Sequence, residues 1–104
     1  MEFNDNLAQL ASVEGFGSMR LYDERGQACG EIHNQPGSSG SFRVYYHLAL
    51  KWGGIGEKAA QEGLALFAEH TADAKAHPGK HPNIDRLLAV LASGAGYSVR
   101  CYPI

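Results

Sequence analysis

The chain has 104 residues, 44% hydrophobic and 19% charged, with 11 Asp and Glu against 9 Lys and Arg for a net charge of −2. This length suits one domain over residues 1–104 that buries roughly 60–70% of the surface its unfolded form exposes, and the composition excludes a disordered chain. Scattered Lys and Arg residues exclude a basic face, so neither nucleic acid nor an anionic membrane surface is an expected partner.

In chain order, Phe3 to Ser12 is expected to form a short helix, with Phe3, Leu7 and Leu10 on one side and Gly15 and Gly17 beyond its end. SMRLYD then alternates, so Met19 and Leu21 face one way and Arg20 and Tyr22 the other. DERG places Asp at the first and Gly at the last position of a type I turn. With ACGEIHN as the return strand, residues 18–33 read as a β-hairpin, in which Cys29 is a buried packing group. NQPGSSGS is a loop.

SFRVYYHLALKWGG fits two periods. Phe42, Val44, Tyr46, Leu48, Leu50 and Trp52 alternate as in a strand, whereas a helix groups Phe42, Tyr45, Tyr46, Ala49 and Trp52. Helix is the reading adopted, because Leu-Ala-Leu-Lys favours it and Ser41 and Gly53 stand where an N-cap and a C′ residue belong.

From Glu57 to Lys75, Ala60, Gly63, Leu64, Phe67, Thr71 and Ala74 recur at helical spacing, which predicts one helix ending near His77, before Pro78. Pro82 opens another, carrying Ile84, Leu87, Leu88 and Leu91 and closed by Gly94. YSVRCYPI alternates as a last strand added to the hairpin's sheet. The expected fold is α+β: a small antiparallel sheet of hairpin plus C-terminal strand, with three or four helices on one face.

No apolar run approaches the roughly 20 residues of a membrane span. The opening MEFNDNLAQL carries acids where a secretion signal carries Lys or Arg. Cys29 and Cys101 have no CxxC spacing and read as reduced thiols. A cytoplasmic address is the expectation.

Two segments, QPGSSGSFRVYYHLA and AEHTADAKAHPGKHPNIDRLL, resemble a family of small bacterial proteins catalogued as a domain of unknown function. His-Pro-Gly-x-His-Pro-Asn is the rarer string, and the resemblance covers nearly the whole chain. It implies no activity, ligand or partner.

Three of the five histidines fall between Ala68 and Asp85. If the Pro-Gly bend folds the chain back, His70, Asp73 and His81 become candidate ligands for a divalent metal such as zinc, which needs three such groups and an open position. His77, at a helix C-terminus, suits a proton donor or anion contact. The competing reading, capping of helix ends, is preferred, since His70-x6-His77-x3-His81 matches no established zinc spacing. Ser39, Gly40 and Ser41 with Arg43 form a candidate anion site at a helix start, against a plain flexible connector. His33 and His47 read as structural.

No complete nucleophile, base and orienting group can be assembled from the sequence. The preferred functional reading is therefore a non-catalytic module that binds a protein or small-molecule ligand. It would form a homodimer if Tyr45, Tyr46 or Trp52 make an exposed apolar patch. The alternative is a metal-dependent hydrolase-like enzyme built on His70, Asp73, His77 and His81.

Overall fold

The alternation in SMRLYD sends Met19 and Leu21 to one side of β1 (Phe16–Tyr22), and neither retains any solvent exposure. In the computed structural model, which describes residues 2–104, β1 is the centre of a three-stranded antiparallel sheet of order β2-β1-β3. β2 (Ala28–His33) sets Ile32 opposite Met19, and β3 (Ser98–Pro103) sets Cys101 opposite Met19 and Val99 opposite Leu21. The hairpin closes as DERG predicts: the Gly26 N–H donates to the Asp23 carbonyl (3.0 Å), and Asp23 Oδ1 accepts from Arg25 and Gln27. Cys29, however, is exposed rather than buried. It shares the parity of Glu31 and His33, which are also exposed, while Ile32 lies on the covered face.

Five helices occur among the described residues, where three or four were expected: α1 (Phe3–Leu7), α2 (Ser39–Trp52), α3 (Glu57–Phe67), α4 (Glu69–Ala76) and α5 (Pro82–Ser93). Residues 41–52 are helical, as adopted from the sequence, but α2 starts earlier, with Ser38 at the N-cap and its hydroxyl donating to the His33 carbonyl. Gly53 ends α2 in the left-handed region, φ +78°. The buried stripe of α2 is Phe42, Val44, Tyr45 and Leu48 rather than the predicted set ending in Trp52, which is 42% exposed. The helix is wedged between sheet and neighbouring helices, so its covered sector is turned toward Val44 and Leu48 and stops short of its C-terminal end. Tyr45 is fully buried, and its hydroxyl donates to the Asn83 carbonyl (2.5 Å), joining α2 to α5. Burial pushes that phenol up to about 12.

The predicted first helix is shorter than expected. α1 stops at Leu7, and the Leu10 carbonyl beyond it accepts from Arg43 Nη2 (2.8 Å). Along α3, Gly63 allows the close approach of Leu48 and Leu87, whose methyl groups lie 2.9 and 2.7 Å from where a Cβ would stand. α5 buries Ile84, Leu87 and Val90, with Leu88 and Leu91 partly covered. Among the described residues no helix is long and apolar enough to cross a membrane.

The helix predicted over Glu57–Lys75 is two helices, because Ala68 breaks it at φ 52°, ψ −118°. Periodicity cannot register this: Thr71 and Ala74 keep the helical spacing while the axis turns between them and Phe67. Tertiary contacts hold the corner. Thr71 Oγ1 donates to the Leu64 carbonyl (2.6 Å), Asn6 Nδ2 to the Leu66 carbonyl (2.9 Å), and the Phe3 N–H to Glu69 Oε1 (2.7 Å). A side chain at positive φ is strained. Ala68→Gly is therefore expected to raise stability by about 1 kcal/mol despite the greater unfolded-state freedom of glycine. A urea midpoint that stays level or falls would show that the corner stores no strain.

Candidate functional site

The bend His77-Pro78-Gly79-Lys80-His81 returns the chain so that α5 begins beside α4. Pro78 cannot continue α4, Gly79 takes φ +93°, and the Gly79 N–H donates to Asp85 Oδ2 (2.9 Å). This brings the expected residues together around Asp73. His81 Nε2 donates to Asp73 Oδ2 (2.6 Å), Lys80 Nζ lies 2.9 Å from the same oxygen, and His77 Nε2 is 3.9 Å from Oδ1. His70 does not join the carboxylate. Its ring stands 5.5 Å from that of His81, centroid to centroid, and edge-on to Phe3 at 5.0 Å, with Phe3 stacked on Phe67 at 5.3 Å.

The corner is thus a carboxylate hub rather than a set of three ligands. Among the described residues no group of three or more His, Cys, Asp or Glu is arranged to hold a metal ion. His70, Asp73 and His81, the expected ligands, are not gathered around one point in this structure. Lys80 and His81 both address Asp73 Oδ2, and His70 packs edge-on against Phe3. His77 ends α4 as an exposed residue with only the long contact to Asp73.

Electrostatics follows the geometry. The hydrogen bond from His81, then that from Lys80, hold the Asp73 carboxyl at about 2, below the usual 3.8. A carboxyl depressed in the folded state contributes stability that is complete above the unfolded value and is lost as pH falls through the folded one. Asp73→Asn is expected to lower the thermal midpoint at neutral pH, and the deficit relative to the native chain should close between pH 3.8 and about 2. A deficit that is the same at pH 2 and pH 7 would mean that charge pairing contributes nothing there.

The predicted anion site does not assemble as one unit. Ser39, Gly40 and Ser41 form the first turn of α2, and Gly40 lies under the Phe3 ring. Arg43 is two positions beyond Ser41, about 200° around the helix, and reaches the Leu10 carbonyl, lining a shallow hollow with Ser12, Glu14 and Asn34. Its Nε is buried without a hydrogen-bond partner. Ser41 instead shares a hollow of about 270 Å³ with His70, Lys80, His81 and the first turn of α5. That hollow joins the two regions singled out in the sequence, the start of α2 and the histidine bend.

Two groups escaped the sequence reading. Lys80 lies seven residues from Asp73, a spacing that signals nothing until the bend folds. Glu62 on α3 is the second hub: His47 Nε2 (2.5 Å), Lys51 Nζ (2.6 Å) and Trp52 Nε1 (3.3 Å) converge on it from α2. Burial opposes ionisation of Glu62, yet the hydrogen bonds from Lys51 and His47 carry its carboxyl below the usual value. The available signal was His47 and Lys51, four apart on one helix face.

No curated protein and no solved structure matches the chain. A family model described as an uncharacterised protein conserved in bacteria matches residues 3–101. With nearly its whole length matched, the chain belongs to that bacterial family, DUF2322.

Proposed function

We propose that the protein is a non-catalytic binding module that takes a small carboxylate ligand in the hollow between the start of α2 and the histidine bend. One observation carries this reading. Ser41, His70, Lys80 and His81 line one hollow that the first turn of α5 also borders, so the positive dipole ends of α2 and α5 adjoin it. The acid of the corner, Asp73, is already engaged by His81 and Lys80 and so is not free to serve as the base of a hydrolase. A metal-dependent hydrolase is accordingly not favoured.

The same reading includes a cytoplasmic address and self-association. Tyr45 and Tyr46 do not supply the seam, since the fold buries the first and partly covers the second. Leu50, 65% exposed, and Trp52 are the apolar residues that α2 leaves open.

An NMR titration of the full chain with acetate, succinate and citrate tests the ligand reading. The ring signals of His70 and His81 are expected to shift and saturate, with Lys80→Ala weakening the binding by roughly tenfold. Ring signals that stay fixed with all three carboxylates would sink it. Sedimentation equilibrium tests self-association, with Leu50→Glu expected to yield the monomer. A native chain that is monomeric at every concentration refutes that part.

A further inference from the structure

The alternation that sends Met19 and Leu21 into the core sends Ser18, Arg20 and Tyr22 to the outer face of the sheet. There the register sets Arg20 directly opposite Arg100 on β3 and opposite Glu31 on β2. Arg20 and Arg100 are both exposed. Like charges directly opposite on neighbouring strands are destabilising. Glu31, opposite Arg20, relieves them only in part: its ion-pair contact is His33 at 3.9 Å, and among the described residues neither arginine has an acidic partner within ion-pair distance.

The neighbouring rows add hydroxyl groups. Tyr22 lies opposite Ser98 and Tyr102 opposite Ser18, on either side of the arginine row, yet their hydroxyls meet at 2.9 Å. Both side chains therefore lean inward across the arginines, and the Arg20 guanidinium stands 5.7 Å from the Tyr102 ring centroid. Two hydroxyls sharing one mutual hydrogen bond leave one O–H free to donate. The hydrogen bond from Tyr102, then the nearby Arg20 and Arg100 charges, lower the Tyr22 phenol.

We propose that this face binds a dianionic phosphate group, with Arg20 and Arg100 as the charge contacts and the Tyr22–Tyr102 pair supplying one hydroxyl donor. Two guanidinium groups without an ion-pair partner favour a doubly charged ligand, and guanidinium–phosphate hydrogen bonds are charge-assisted and matched in geometry. A phosphate monoester supplies both charges, whereas a diester supplies one. The ligand class is therefore a small phosphate monoester rather than a nucleic-acid backbone. This site lies on the sheet face turned away from the helices and does not depend on the hollow at the histidine bend.

The test is an NMR titration of the full chain with inorganic phosphate at about pH 8, where phosphate is a dianion. Dimethyl phosphate and sodium chloride at matched ionic strength serve as comparisons. Phosphate is expected to give saturating shifts at the Arg20 and Arg100 side chains, and the two comparison solutes none. Arg100→Gln is expected to weaken phosphate by about tenfold or more and to stabilise the unliganded chain, because it removes the opposed charge. The double variant Tyr22→Phe, Tyr102→Phe should weaken phosphate while leaving the fold intact, and Lys80→Ala should leave it unchanged, which separates this site from the hollow. Equal responses to phosphate and to sodium chloride would reduce the effect to screening and overturn the proposal. So would undiminished phosphate binding by Arg100→Gln.

Discussion

A sheet of three strands with one apolar face has no stability until that face is covered. Here the cover is α2. Met19 and Leu21, at the centre of the sheet, are sealed in the same core as Phe42, Val44, Tyr45 and Leu48. Each such side chain contributes about 1.5–3 kcal/mol when fully buried. α2 also faces the other way, into the layer of α3 and α5. Leu48 meets Leu87 across Gly63, and the Tyr45 hydroxyl ties α2 to the first turn of α5. The helix that closes the sheet is therefore the one that positions the start of α5, and with it His81.

Two carboxylates then secure the helices to one another. Glu62 holds α3 to α2 through His47, Lys51 and Trp52, and Asp73 holds α4 to the bend through Lys80 and His81. Both are only partly shielded from solvent, where single ion pairs contribute little; the convergence of several donors on one acid is what lends them weight. The chemical consequence falls on the candidate site. An acid saturated with protein donors is a poor metal ligand and a poor base.

The two faces of the molecule differ in a related way. On the helical side, acid and base are matched at each hub. On the outer face of the sheet the matching lapses, because the register that puts Met19 and Leu21 inside also places Arg20 against Arg100. Inward packing fixes this register, since a slip of one residue would carry the core set to the solvent side. The unbalanced charge is thus a by-product of core formation that a bound anion can put to use.

Local signals sufficed for the hairpin, the Asp23–Gly26 turn, the Gly53 and Gly94 stops, Pro82 at the start of α5 and the last strand. Each depends on residues near in sequence, through period, turn chemistry or fixed φ. They also marked the histidine bend as a place where distant side chains meet, which the Asp73 and His81 contact bears out. Other features lay outside such signals. The break at Ala68 is held by Phe3 and Asn6, partners that a helical wheel does not contain, and the covered sector of α2 depends on having neighbours on two sides. Which donors Asp73 meets depended on where the bend set Lys80 and His81. The sequence by itself determined the hairpin, the last strand and most of the helical segments with their glycine and proline stops, because those preferences are local. Only the tertiary structure decided which charges meet, because that depends on separations in space that no spacing along the chain encodes.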